Sequence, residues 1–446
     1  MAAKANQARA MRTTTTVKAA MTALAALAAG LASAAPARAQ QATMTMDDAV
    51  AVALTRNRDV IAARLEIDAA TLDVVAARVY PNPQLSYTLG NIILGAANTQ
   101  DSMVAAHPGA FSQPVQNVGV SEIIDVWAKR GARISAADRG VERRRWQVED
   151  ALREIVYAVR SAFADVVREQ TERGLAHEVV ARYDQTVKIS QARFRAGDIS
   201  EAELRKIELE GLRYQNAVID ADMELDLARQ HLAGLMGIGG AAQLPPELAP
   251  WDQRQNYDLN ALTSTAMAQR PDLRAARASR DAGEAALSSA KREAFPDISV
   301  GANYTHSDFT VSGDNPNTLA LSLAMPLPLF DRNQANIGRA KLDIQRADND
   351  GERLRLQVAR DVAEAVRRAT RTQSLLAVFE GGGMIERADG SLKVAEKSYK
   401  AGAISLLELL EAQRTYLDIR GQYLRALHDY RQASIDVSHA VGERTK

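Results

Sequence analysis

The stretch FRAGDIS at residues 194–200 occurs a second time as YKAGAIS at residues 399–405. Each copy has an aromatic residue three positions before its glycine and a serine three positions after it. The apolar residues that follow both copies are spaced alternately three and four apart, and the second series lies 205 residues after the first without a gap, as 399 lies after 194. Such spacing is typical of a helix that packs along another helix. We therefore interpret the chain as a tandem duplication whose working parts occur in pairs.

The composition argues against several classes of function. The formal net charge of the 446-residue chain is zero, so the chain lacks the basic field that nucleic acid binding requires. It contains no cysteine, and none of its 6 histidines pair at the i, i+4 spacing, so neither a disulfide framework nor a metal site is predicted. No nucleophile–base pair or phosphate-binding loop is recognisable. The sequence therefore predicts neither an enzyme nor a cofactor.

Residues 1–39 have the features of a secretory signal peptide. Four basic side chains lie within the first 18 residues, an apolar run of small residues covers 21–35, and Ala37-Arg38-Ala39 offers a cleavage site before Gln40. A membrane anchor is the alternative interpretation, but the run is short and rich in alanine. After Gln40 no stretch approaches the ~20 apolar residues of a spanning helix, so the mature chain is predicted to be exported.

Both halves of the chain follow one plan: a helix, an aromatic–proline break, two short strands, a very long helix, a glycine turn and a return helix. The first predicted repeat covers residues 40–236, with strands at about 84–91 and 118–126, a long helix at about 130–195 and a return helix at about 200–236. The second covers residues 258–446, with strands at about 297–308 and 318–327, a long helix at about 333–397 and a return helix at about 405–441. A connector rich in glycine and proline, residues 237–257, joins them.

The long helices set the scale of the molecule. About 65 residues at ~1.5 Å each make a rod of roughly 100 Å, which exceeds the diameter of a compact domain of this mass. In the second rod, Gly381-Gly382-Gly383 predicts a break. Three of the predicted strands alternate apolar with small or polar residues, whereas the run at residues 118–127 alternates poorly. Such alternation suits lipid on one side and water on the other, but a one-sided soluble sheet would look the same. Four strands leave open edges that further strands from an oligomer would close.

Further motifs accompany the paired turns: KRGARI at 129–134, PLFD at 328–331 and LELLEA at 407–412. Because its motifs occur in this order and in duplicate, the mature chain resembles the TolC family of outer-membrane efflux channels over essentially its whole length. Residues 129–134 and the first strand region most resemble the heavy-metal branch of the CzcC or CusC kind. The resemblance implies a mainly α fold with a small β part. Three chains would form a 12-stranded outer-membrane β-barrel continuous with a long periplasmic α-helical barrel.

The resemblance also implies a function and partners. A homotrimer in contact with outer-membrane lipid would be the passive exit duct of a tripartite, RND-type efflux system. It would export small toxic solutes, with heavy-metal cations as one candidate. Its partners would be a periplasmic adaptor (membrane fusion) protein and an inner-membrane transporter, and it would perform no chemistry. One alternative is the exit duct of a type I protein-secretion system. Another is a soluble periplasmic coiled-coil scaffold.

The two turns are expected at the periplasmic tip of such a duct. Gly197 and Gly402 are predicted to adopt the left-handed conformation that reverses a helix sharply. Ser200 and Ser405 are predicted to cap the return helices. The resemblance implies that these four residues, together with Phe194, contact the adaptor. A tight helical hairpin without a partner would explain the glycines and serines equally well.

The resemblance implies an aperture gate at the same end of the molecule. Glu408 and Glu411 match acids that ring the aperture, where threefold symmetry would crowd carboxylates and raise some of their pKa values. Tyr399 and Glu203 match a pair that ties neighbouring helices together in the closed state. The chain has Ile404 where the best-studied members have arginine, so it departs from the ionic latch of the family. The alternative for these acids is the solvated face of a charged helix.

Overall fold

The computed structural model describes residues 43–92, 114–251, 254–308 and 315–443. The predicted signal peptide at residues 1–39 lies outside these ranges. Within the described ranges, no helix combines the length and the hydropathy that crossing a membrane requires.

The first repeat contains two short helices, two strands, one very long helix and a return helix. They are α1 (Met46–Arg56), α2 (Arg58–Arg78), β1 (Gln84–Gly90), β2 (Val115–Ile124), α3 (Lys129–Ala196) and α4 (Glu201–Leu235). Asn57 separates α1 from α2, because its side-chain oxygen accepts a hydrogen bond from the Asp59 N–H at 2.7 Å. The Asn57 amide nitrogen also donates to the carbonyl of Leu235 at 2.7 Å, which ties this junction to the end of α4. The 68 residues of α3 make a rod of roughly 100 Å at ~1.5 Å per residue.

The second repeat has the same order of elements, but its long helix is interrupted. Its elements are α5 (Leu259–Gln269), α6 (Pro271–Glu293), β3 (Ile298–Ser307), β4 (Asn317–Ala324), α7 (Gln334–Gly381), α8 (Met384–Lys400) and α9 (Leu406–Val441). Gly382 ends α7, and Gly383, with a φ of +58°, precedes α8. The region predicted as a connector contains a short 3₁₀ helix, Ala241–Gln243. The predicted fold, a repeated helix–strand–strand–helix unit, is confirmed.

The four strands form one antiparallel sheet in the order β1-β2-β3-β4. Tyr87, Val118, Tyr304 and Leu319 face one another in a row across it, and all four side chains are exposed. β2 begins at Val115, three residues before the predicted start, because pairing with β3 extends it into a polar stretch that resembles a loop in sequence. Within the described residues, β1 and β4 are edge strands that pair on one side only.

The motif at residues 129–134 lies where the sheet meets the rods. Asp125 accepts hydrogen bonds from the first N–H groups of α3, those of Lys129 and Arg130, both at 2.8 Å. The buried Lys129 ammonium donates to Asp297, just before β3, at 2.8 Å. The ring of Trp127 stacks on Phe295 with 4.9 Å between centroids. These contacts fix the first rod to the beginning of the second strand pair.

The rods pack through three hydrophobic clusters. The first joins α1, α3, α4 and the connector, where Phe163 is fully buried against Trp251. The second lies within the second repeat, between α5, α6, α7 and α9. The third, which we call the lower cluster, contains buried residues of both repeats: Tyr183, Ile207, Ala388, Leu392, Tyr399, Leu406, Leu409 and Tyr416. The lower cluster therefore holds the two helical hairpins side by side at the end that carries the glycine turns.

Candidate functional site at the hairpin turns

The two glycine turns have the same backbone geometry. Gly197 has a φ of +84° and Gly402 a φ of +75°, so both adopt the predicted left-handed conformation. The N–H of Asp198 donates to the carbonyl of Arg193 at 2.9 Å, and the N–H of Ala403 donates to the carbonyl five residues before it at 2.8 Å. This six-residue closure satisfies the last carbonyl groups of each long helix and reverses the chain at once.

Both return helices begin with a reciprocal capping box. The Ser200 hydroxyl accepts a hydrogen bond from the N–H of Glu203 at 3.2 Å, and the Glu203 carboxylate accepts one from the N–H of Ser200 at 2.9 Å. Ser405 and Glu408 repeat the arrangement, with the corresponding distances of 3.3 and 2.9 Å. The predicted capping role of both serines is confirmed, and the two glutamates, predicted only as gate acids, complete the caps.

The capping box determines the electrostatics of Glu203. The hydrogen bonds from the backbone and the hydroxyl of Ser200 stabilise the charged carboxylate and lower the pKa of Glu203 below its ordinary value. Within one chain, this lowering of the Glu203 pKa is opposite to the rise in pKa that crowded carboxylates would produce. Glu411, one turn after Glu408, lies on the exposed surface of α9.

Tyr399 lies in the lower cluster and is only 2 % exposed. Its hydroxyl oxygen is 3.1 Å from Ser190 Oγ, and Ser190 itself donates to the carbonyl of Thr186 at 2.8 Å. Because the serine proton is used in that bond, the tyrosine hydroxyl is the donor to Ser190. Arg193 donates to the Tyr399 carbonyl at 3.0 Å, and its guanidinium lies 4.9 Å from the centre of the tyrosine ring. The end of α8 is thus bonded to the end of α3.

Within the described residues Glu203 does not contact Tyr399, although the family resemblance implies that the two form a pair. Ser190 and Arg193 contact Tyr399 instead, and Glu203 is engaged by Ser200. The sequence contains a signal for Ser190, because this polar residue falls in the three–four seam of α3 next to buried apolar positions. For Arg193 the signal is weaker: its counterpart 205 residues later is a serine, so the two copies differ there.

The two turns lie next to each other at one end of the bundle. A Cβ atom added to Gly402 would be 3.7 Å from a guanidinium nitrogen of Arg193. The side chains predicted to contact an adaptor are accessible: Phe194 is 39 % exposed, and Gly197, Ser200, Gly402 and Ser405 are exposed as well. Ile404 packs against the lower cluster, so an apolar contact occurs at this position of the turn. Among the described residues, no three acidic or histidine side chains form a group that could hold a metal ion.

Comparison with known proteins identifies the family. The family model described as outer membrane efflux protein matches residues 49–238 and 262–443, that is, both repeats. The cobalt-zinc-cadmium resistance protein CzcC of Cupriavidus metallidurans is 25 % identical, over 90 % of this chain and 90 % of its own length. The pyoverdine export outer membrane protein OpmQ of Pseudomonas putida is 24 % identical, over 90 % of this chain and 86 % of its own.

The fold is also that of a solved channel. The structure of CusC superposes with a TM-score of 0.69 and 17 % sequence identity, covering 89 % of this chain and 91 % of the other. The resemblance to outer-membrane efflux channels, the efflux role and the outer-membrane location predicted from the sequence are therefore confirmed. The chain belongs to the outer membrane efflux protein family.

Proposed function

We propose that the chain is the exit duct of a tripartite, RND-type efflux system and works as a homotrimer. The open four-stranded sheet is the main observation that supports the trimer. Among the residues that the structure describes, its edge strands β1 and β4 each pair on one side only, and its apolar row is exposed. Three copies joined edge to edge would give a closed sheet of 12 strands in contact with lipid, and no unpaired edge would remain.

The helices support the same assembly. The exposed side of α4 carries a line of large apolar side chains, namely Leu209, Leu212, Ile219, Met223 and Leu227. A stripe of this kind on a soluble surface marks a protein contact. We assign it to the neighbouring copy, so that the rods of three chains enclose a passage through the periplasm. In this assembly the chain conducts solutes and catalyses no reaction.

We propose that the paired turns are the end that binds a periplasmic adaptor, which connects the duct to an inner-membrane transporter. The residues for this contact are Phe194, Gly197, Ser200, Gly402 and Ser405, all exposed in the single chain. The gate at this end consists of Tyr399 with its partner Ser190, together with the acids Glu203, Glu408 and Glu411. The carboxylates would attract cations toward the aperture, which fits an efflux system for metal ions.

The cargo we propose is heavy-metal cations, on the strength of the similarity to a cobalt-zinc-cadmium resistance protein over nearly the whole chain. Deletion of the gene should sensitise the cells to cobalt, zinc or cadmium, and the intact gene on a plasmid should restore growth. Unchanged metal tolerance, together with loss of a secreted protein from the medium, would favour the type I secretion duct instead.

The trimer has a separate test. Because the chain has no cysteine, any disulfide comes from introduced residues. Cysteines at Leu85 on β1, paired in turn with Leu319, Leu321 or Leu323 on β4, should give a ladder that ends at a covalent trimer in outer-membrane fractions. A chain that remains monomeric in every pairing, or that is recovered in the soluble periplasm, would exclude the duct.

A further inference from the structure

A small, partly open cavity lies beside the lower cluster, between helices of both repeats. Its volume is about 20 Å³, and its lining includes Tyr183 of α3, Tyr214 of α4, Glu396 of α8 and Gln413 of α9. Tyr183 precedes Ser190 by seven residues, or about 10 Å along α3. The cavity is therefore close to the bond between Ser190 and Tyr399, but separate from it.

Two polar atoms of residues that line this cavity have no hydrogen-bond partner among the residues that the structure describes. They are the Tyr183 hydroxyl and the Gln413 side-chain oxygen, and their residues are 2 % and 7 % exposed. Buried polar groups in proteins are nearly always hydrogen-bonded, to protein or to ordered water. The two groups are complementary, because a tyrosine hydroxyl can donate and an amide oxygen accepts, yet they do not bond to each other directly.

We propose that the cavity is a binding site for one water molecule, which bridges Tyr183 of the first repeat and Gln413 of the second. The water would accept the hydroxyl proton of Tyr183 and donate one of its own protons to the Gln413 oxygen. Its second proton would point to the carboxylate of Glu396. A space of about 10–15 Å³ holds one water when two to four polar groups surround it, and this site meets both conditions.

The electrostatics of the lining agree with this occupant. Burial raises the pKa of Tyr183, so its hydroxyl keeps the proton that it donates. Burial also raises the pKa of Glu396, which is half-buried in the lining of the cavity. Glu396 is the one carboxylate in the lining, whereas a metal ion would require several such ligands.

The site occurs once, although the chain is duplicated. The counterparts of Tyr183 and Gln413 at the offset of 205 residues are Ala388 and Glu208, and they cannot repeat the arrangement. The contact between α3 and α9 thus includes a wet, polar position beside the apolar lower cluster. When the two hairpins separate at this level, the bridging water joins the solvent and two polar groups are hydrated. Separation here therefore exposes less apolar surface than a dry contact would.

The test begins with a high-resolution crystal or cryo-electron microscopy structure of the full mature chain in detergent. We expect density for one water within hydrogen-bond distance of both Tyr183 Oη and Gln413 Oε1. The matched control is Tyr157 and Gln432 on the same two helices, which bond directly at 3.4 Å and should have no water between them. A direct bond between Tyr183 and Gln413, a dry cavity, or an ion with five or more oxygen ligands would overturn the proposal.

Melting temperatures provide a second readout. Tyr183→Phe and Gln413→Leu should each lower the melting temperature by about 2–4 °C, because each leaves one buried group with an incomplete network. The double variant removes both polar groups together, so its loss should be clearly smaller than the sum of the two. Strictly additive losses would show that the two residues share no bridge. Because the site lies within one chain, these results do not depend on the proposed efflux role.

Discussion

Ser190 and Tyr399 lie 209 residues apart in the chain, and their side-chain oxygens lie 3.1 Å apart where α3 and α8 end. One hydroxyl pair therefore bonds the long helix of the first repeat to that of the second, beside the glycine turns. The bond is buried, but both partners are neutral. Its contribution is that of an ordinary hydrogen bond, about 0.5–1.5 kcal/mol, so it is weak enough to be broken if the proposed gate opens.

Loss of this bond should favour the open state. Tyr399→Phe and Ser190→Ala should each shift the equilibrium between closed and open by up to about tenfold, since ~1.4 kcal/mol corresponds to a factor of ten. The measurement is single-channel conductance in planar bilayers, with sensitivity of cells to large hydrophilic antibiotics as a second assay. Tyr257→Phe is the control, because Tyr257 also donates to a serine, Ser434, at 3.3 Å but belongs to another cluster. Equal behaviour of both tyrosine variants would contradict the gate.

The turn glycines and a helix glycine should respond to alanine in opposite directions. Gly197→Ala should destabilise the chain by about 1 kcal/mol, because its φ of +84° disfavours any residue with a Cβ atom, although no atom lies within 4 Å of the added methyl. Gly140→Ala in the interior of α3 also meets no atom within 4 Å, and should stabilise by up to ~1 kcal/mol. Denaturant unfolding of both variants checks the signs. A stabilising effect of Gly197→Ala would contradict the left-handed turn.

The cap at Glu203 should depend on pH. Its folded pKa is lowered relative to the unfolded chain, so its contribution to stability is present at neutral pH and is lost as the pH falls below its ordinary value of about 4.3. Glu203→Ala should lower the melting temperature at pH 7, and the difference from the natural chain should shrink toward pH 3. Glu203→Gln should lower the melting temperature less than Glu203→Ala does, because an amide can also complete the capping box. Glu208→Ala is the control, because it removes a carboxylate from the same helix outside the capping box.

Arg270 should be among the most sensitive positions for stability. It is 4 % exposed, pairs with Asp272 at 2.6 Å and donates to the carbonyl of Ala440 at 3.1 Å. Arg270→Ala leaves the largely buried carboxylate of Asp272 without this partner, and such losses cost about 3–5 kcal/mol. Chemical unfolding provides the measurement.

The matched control for Arg270 is Arg205→Ala, which removes an exposed i, i+4 ion pair with Glu201 and should cost less than about 0.5 kcal/mol. Arg270 occupies the place that Asn57 has in the first repeat, since each side chain donates to a carbonyl near the end of the return helix of its own repeat. A loss at Arg270 no larger than at Arg205 would show that this junction contributes little.

The parts of the fold that follow from local rules could be predicted from the sequence. The Gly–Ser spacing predicts the turn and the cap because both depend on residues within one helical turn, and the structure has both at 197–200 and 402–405. The glycine triplet at 381–383 likewise coincides with the observed break between α7 and α8.

Features that depend on distant partners could not be predicted in the same way. β2 extends to Val115 because β3 pairs with it, although the first residues of β2 read as a polar loop. Ser190 acquires its role from Tyr399, and no local pattern specifies which helix faces it. Glu203 was assigned to Tyr399 by resemblance alone, whereas the nearer Ser200 competes for the same carboxylate and forms the cap.

The interruption at Gly382 and Gly383 makes the two halves of the duplication mechanically unequal. The long helix of the first repeat is continuous over 68 residues, whereas its counterpart consists of 48 residues followed by a separate helical segment of 17. In a trimer, continuous and interrupted long helices would alternate around the helical barrel. Bending would then concentrate in the interrupted helices. A helical barrel that has near-sixfold symmetry at rest would therefore deform with threefold symmetry.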